Sequence, residues 1–163
     1  MKPFKRTGIQ YAALPYRIEG RQVQILLITS RRTRRWIIPK GWPMKGLAPH
    51  EAAATEAAEE AGIAGEISDR AIGSYRYLKL LKDDESTMAV QVIVFPLHVA
   101  GHAPIYKEDG QRSSRWFRYR EASKLVAEPA LQHLIRNFGA EQSPNPVARA
   151  YRTYSAWRAS RAV

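Results

Sequence analysis

The 163-residue chain has no cysteine, which excludes a disulfide framework, a thiolate metal site and a cysteine nucleophile. No stretch approaches the roughly 18 apolar residues of a membrane-spanning helix. The opening Met1-Lys2-Pro3-Phe4-Lys5-Arg6 is basic and lacks the apolar run of a signal peptide. Histidine is sparse and scattered (His50, His98, His102, His133), so a histidine-based metal site is not expected. What remains is ordinary globular composition, 45% hydrophobic and 25% charged, at a length that suits one domain. A soluble, cytoplasmic protein with no membrane partner is the expectation.

Acids are also in short supply, 15 against 26 Lys and Arg, for a net charge of +11. Residues 1–40 hold ten Lys or Arg and a single acid, Glu19, whereas residues 46–69 hold six acids and no Lys or Arg. A basic surface attracts polyanions such as nucleic acids and phosphorylated small molecules. An acidic island within it is the arrangement a phosphate-processing site needs, with carboxylates for a cation and cations for the substrate.

Ile9–Leu14 and Val23–Thr29 read as strands joined by a turn over Arg17-Ile18-Glu19-Gly20-Arg21. Trp36-Ile37-Ile38 is a short apolar run stopped by Pro39, followed by a loop punctuated by Gly41, Pro43, Gly46 and Pro49. His50–Ala61 is rich in Ala and Glu and is expected to be helical, with Gly62 as its C-cap. Two long strands are expected at Ile72–Leu81 and Met88–Val99, then a polar loop and a short strand at Arg115–Arg118. Helices are expected at Glu121–Ala127 and Pro129–Phe138. This order points to a single α+β domain over residues 1–142, an α/β/α sandwich. Residues 143–163 form a basic, aromatic tail in which Tyr151, Tyr154, Trp157 and Arg158 have helical spacing.

Glu56, Glu59 and Glu60 fall at i, i+3 and i+4, so their carboxylates gather on one helical face with no Lys or Arg within a turn. Oxygen donors of this kind suit Mg²⁺ or Mn²⁺; a plain solvated face is the alternative reading of three glutamates on an Ala-rich helix.

The flanking residues add to this. From Gly41 to Ile63 the chain resembles the Nudix box: Gly, five residues, Glu, seven residues, Arg-Glu, an apolar residue, any residue, Glu-Glu, any residue, Gly, apolar. Gly41, Glu56, Ala57, Glu59, Glu60, Gly62 and Ile63 match at the right spacing. Trp36-Ile37-Ile38-Pro39-Lys40-Gly41 and Arg115-Trp116-Phe117 extend the likeness toward the diphosphoinositol polyphosphate and diadenosine polyphosphate hydrolase branch, over about residues 8–138. Two positions depart. Leu47 stands where the box has its first glutamate, an auxiliary acid, and Thr55 stands where it has an arginine that helps to orient a catalytic glutamate. His50 and Glu51 are candidates to substitute for Leu47.

The resemblance implies a Nudix-type sandwich with a mixed sheet and a loop–helix–loop box. It also implies divalent-metal-dependent hydrolysis of a phosphoanhydride, in a nucleoside-diphosphate-linked compound, a dinucleoside polyphosphate or an inositol pyrophosphate. Glu56, Glu59 and Glu60 would be both metal ligands and catalytic carboxylates, with the backbone carbonyl of Lys40 and the Glu108 carboxylate as further ligands. Arg34, Arg35 and Lys40, then Arg31, Lys45 and Arg32, are the candidates for substrate phosphates, since they flank the box and arginine offers phosphate a bidentate fork. Lys5 and Arg6 are placed to close the other side, and Trp42 and Tyr77 are candidates to stack on a base. Two alternatives stand beside this reading. One is an RNA 5′-pyrophosphohydrolase or RNA-binding protein, drawn from the net charge and the tail. The other is a non-catalytic Nudix-fold binding module, drawn from Leu47 and Thr55. The oligomeric state is left open.

Overall fold

The computed structural model describes residues 7–83 and 85–144; Lys5, Arg6 and the tail positions Tyr151, Tyr154, Trp157 and Arg158 lie outside them. Among the described residues eight strands form one mixed sheet: β1 (Gly8–Glu19), β2 (Gln22–Thr29), β3 (Trp36–Ile37), β4 (Lys40–Gly41), β5 (Ile63–Ile67), β6 (Gly73–Leu80), β7 (Thr87–His102) and β8 (Ser114–Arg118). Three helices accompany them, α1 (Pro49–Ala61), α2 (Tyr119–Leu125) and α3 (Pro129–Gln142).

β1 runs parallel to β7, from Gly8 opposite Val90 to Tyr16 opposite His98, and antiparallel to β2 and to the two-residue β4. The Ile25–Ile28 run is apolar throughout because both faces of the sheet are covered. Leu26 and Ile28 pack with Ala13, Phe95 and the alanines of α1 on one side. Ile25 and Leu27 pack with Leu14, Val92, Leu131, Ile135 and Phe138 on the other. Period-2 alternation thus assigns successive side chains to opposite cores. The α+β class and the three-layer order expected from the sequence are both present.

The main differences from expectation are these. β1 continues through Arg17-Ile18-Glu19, paired with Gln24-Val23-Gln22, so the turn shrinks to Gly20–Arg21, with Gly20 in the left-handed region at φ 59°. β5, which carries little strand signal in its Ala-Gly-Glu centre, forms by pairing with the far end of β7 and prolongs β7 to His102. Gly65 lies directly against the His98 carbonyl there, an approach that leaves no room for a Cβ. α2 begins two residues early, at the buried Tyr119. α3 runs past the expected end at Phe138 to Gln142, and at Gly139 the Tyr119 ring packs against the helix.

Ile135 is fully buried in the core beneath α3. Ile135→Ala is expected to lower the unfolding free energy in urea by about 2–5 kcal/mol, through lost transfer energy and the cavity left behind.

Candidate functional site

α1 starts at Pro49, a residue already fitted to the first helical turn, and Glu51 Oε2 accepts the Ala48 N–H at 2.8 Å. Glu51 is therefore engaged as a cap, and His50 faces Phe95; neither reaches the cleft in place of Leu47. Ala53, Ala57 and Ala61 form a fully buried stripe at i, i+4, i+8, which lets the helix lie close on the sheet. Glu56 and Glu60, also one turn apart, flank that stripe and face β4. Gly62 ends the helix at φ 65°, with its N–H returning to Ala58 O at 3.1 Å.

Glu56, Glu59 and Glu60 line a cleft of about 650 Å³ together with Lys40, Trp42 and Glu108. Gly41 lies under the Glu56 carboxylate so closely that any side chain there would collide with it. The Lys40 N–H donates to Glu60 Oε2 at 3.3 Å. Glu60 is only 6% exposed, and Glu56, one turn before it, is half-buried. Burial pushes the Glu60 carboxyl up to about 7, with the neighbouring Glu56 and Glu108 adding to the shift and Arg112 opposing it. Glu56 is raised as well, by burial first and then by Glu59. Burial also lowers the Lys40 ammonium to about 8, and its Nζ sits 4.8 Å from the centre of the Tyr77 ring.

Five cations line the same cleft: Arg31, Lys40, Lys79, Lys107 and Arg112. Sequence reasoning passed over Lys79, Lys107 and Arg112, although Lys107 adjoins Glu108 and Arg112 lies one helical-turn spacing beyond it. Glu108 does reach the cleft, held by Arg31 at 3.2 Å and Arg112 at 3.3 Å. Arg32, Arg34, Arg35 and Lys45 do not line it. Arg34 occupies the turn after β2 at φ 55°, and Arg32 and Lys45 are exposed outside the cleft. Arg35 pairs at 2.9 Å with Glu128, the residue before α3, so its charge serves the opposite layer. Tyr77 donates its hydroxyl to Gln10 at 2.7 Å and gives one ring face to Lys40, which leaves the 40%-exposed Trp42 as the free aromatic surface. A second cavity, of about 600 Å³, lies between Tyr16, Glu66, His98 and Phe138 and contains none of these residues.

The chain belongs to the Nudix family: the NUDIX domain profile matches residues 8–138. It is 28% identical over 129 residues to Nudix hydrolase 21, chloroplastic, of Arabidopsis thaliana, covering 77% of this chain and 63% of that protein. It is 29% identical over 118 residues to Nudix hydrolase 16, mitochondrial, of the same organism, covering 71% and 65%. The chain thus spans just under two thirds of the length of these curated relatives. Its fold is also that of the C. elegans Ap4A hydrolase, at a TM-score of 0.59 and 22% identity, with 85% of this chain and 100% of that one covered. The NUDIX domain of Shewanella oneidensis NrtR, complexed with ADP ribose, matches at a TM-score of 0.58 and 13% identity, covering 83% and 90%. Among the described residues no helix is long and apolar enough to cross a membrane.

The raised Glu60 carboxyl makes the metal-free protein's stability depend on pH. An unfolded glutamate releases its proton near 4.5, whereas the folded one keeps it to about 7. Its contribution is therefore complete below pH 4.5 and is lost as pH rises through 7. In thermal unfolding without metal, Glu60→Gln is expected to remove part of the decline between those pH values; an unchanged decline would refute the assignment.

Proposed function

We propose that the chain is a divalent-metal-dependent pyrophosphohydrolase, its site carried by the 1–142 unit, that cleaves a phosphoanhydride bond in a highly phosphorylated small molecule. The substrate class is a nucleoside-diphosphate-linked compound, a dinucleoside polyphosphate or an inositol pyrophosphate. Its main support is the set of Glu56, Glu59, Glu60 and Glu108, four carboxylates that line one cleft together with five cations.

The donor set fits Mg²⁺ or Mn²⁺ in a particular way. Among the described residues no three acidic or histidine side chains converge on one point. Glu56 and Glu60 would hold the ion, with phosphate oxygens and water filling the remaining positions, as is usual for Mg²⁺ at phosphoryl-transfer sites. Bound there, the ion would neutralise phosphoryl charge and lower the pKa of a water. Lys40, Lys79 and Arg31 would meet the remaining phosphate charge, and the exposed Trp42 would stack on a base or lie along an apolar edge of the leaving group. Glu59 and Glu108 are the carboxylates left to take a proton from the attacking water. Of the two structural neighbours, one is named as an Ap4A hydrolase and the other is complexed with ADP ribose, and both ligands contain a phosphoanhydride.

Hydrolysis is tested on a panel of dinucleoside polyphosphates, ADP ribose and inositol pyrophosphates with Mg²⁺ or Mn²⁺. At least one compound is expected to be turned over, and only with metal. Glu60→Gln is expected to cost at least about 100-fold in kcat/KM, the scale on which even outer-shell partners of metal sites matter. Binding without turnover throughout would favour the non-catalytic module. Turnover of a 5′-triphosphorylated RNA alone would favour the RNA-directed alternative.

A further inference from the structure

The box helix supplies no cation to its own glutamates. Position 55, which holds arginine in the box pattern, is threonine, and its hydroxyl is spent on the Glu51 carbonyl at 2.9 Å. Nevertheless Glu59 and Glu60 are both paired, from the loop between β7 and β8: Lys107 lies 3.2 Å from Glu59, and Arg112 3.4 Å from Glu60. The two contacts are not alike. Lys107 is 69% exposed, and an exposed ammonium on a flexible stem fixes little. Arg112 is 9% exposed and its guanidinium reaches three groups at once: Glu60, Glu108 at 3.3 Å, and the Thr29 carbonyl at 3.1 Å.

Main-chain bonds on both sides fix where Arg112 stands. The Glu108 N–H donates to the Glu59 carbonyl at 2.9 Å and the Ala103 N–H to the Gly62 carbonyl at 2.7 Å, which fastens the loop to the C-terminal end of α1. Thr29 and Ser113 exchange bonds at 2.9 Å in each direction, which fastens the residue after Arg112 to the end of β2. The guanidinium is thus a planar fork set between helix, loop and sheet, and its buried Nε has no partner. A buried ionic cluster with an unsatisfied donor adds little net stability, since apolar packing of similar volume commonly does as well. Its value lies in fixing geometry.

We propose that Arg112 is a positioning residue that takes over, from the loop, the orienting task that position 55 leaves open. It holds the Glu60 and Glu108 carboxylates in the orientations that face the cleft. This rests on the hydrolase reading above for its catalytic consequence, but the orientation of Glu60 also governs metal binding in the absence of substrate.

The test uses the full chain with Arg112→Lys and Arg112→Gln, Mn²⁺ alone as the first probe, and the substrate found in the panel as the second. A lysine keeps the charge but cannot span Glu60, Glu108 and the Thr29 carbonyl together. Both variants are expected to bind Mn²⁺ about 10–100-fold more weakly by electron paramagnetic resonance titration, with kcat lowered by a similar factor and KM changed less than about threefold. An arginine that only neutralised charge would compete with the ion for Glu60, so its removal would tighten Mn²⁺ binding. Tighter or unchanged Mn²⁺ binding, or full kcat in Arg112→Lys, overturns the proposal while leaving the hydrolase reading in place. Weaker Mn²⁺ binding in the variants of a protein that turns over nothing upholds the positioning role and removes the hydrolase. Thermal unfolding of each variant identifies a folding defect, and if Arg112→Gln does not fold, Arg112→Lys alone decides. Absence of Mn²⁺ binding by the unaltered protein overturns both.

Discussion

Two carboxylates one helical turn apart, held where solvent screens them poorly, are the constraint to which the surrounding structure answers. On an exposed helix, a like-charged i, i+4 pair costs a few tenths of a kcal/mol. At the lower effective dielectric of a partly enclosed site, unit charges 4 Å apart interact by about 4 kcal/mol. Burial therefore turns a minor repulsion into a demand for something positive between Glu56 and Glu60. Without an ion that demand is met at Glu60 by the Lys40 N–H and by Arg112. A divalent cation beside a polyphosphate would meet it better.

The fold delivers this pair through β1. That strand pairs with β2, β7 and the short β4, and so places Lys40 and Gly41 beside the helix that packs on the same sheet face. Gly41 leaves room for the Glu56 carboxylate where any other residue would displace it. The loop after β7 closes the far side, and its hydrogen bonds to the end of α1 bring Lys107, Glu108 and Arg112 over the glutamates. Cations that sequence distance hides are thereby assembled around an acidic helix.

The box and the helix that carries it were legible in the sequence because their signals are local: fixed spacing, strong helix formers and a C-cap glycine. The layered architecture was legible from the order of strands, helix, strands and helices along the chain. β5 was not legible, because its strand character comes from pairing with β7 rather than from Ala64, Gly65 and Glu66. The same holds for the cations. Arg34 and Arg35 stand next to the box in sequence, yet a tight turn and an ion pair with Glu128 take them elsewhere. Arg112, about fifty residues from Glu60 in sequence, arrives by tertiary contact. Proximity along the chain was a good guide to the acids, which lie on one helix, and a poor guide to the groups that balance them.

The most direct measurement is anomalous diffraction from crystals soaked with Mn²⁺ and a non-hydrolysable polyphosphate. The account predicts a manganese peak between the carboxylates of Glu56 and Glu60, with phosphate oxygens in its coordination shell and Lys40 close by. A peak remote from this pair, or both carboxylates bare in saturating Mn²⁺, would contradict it.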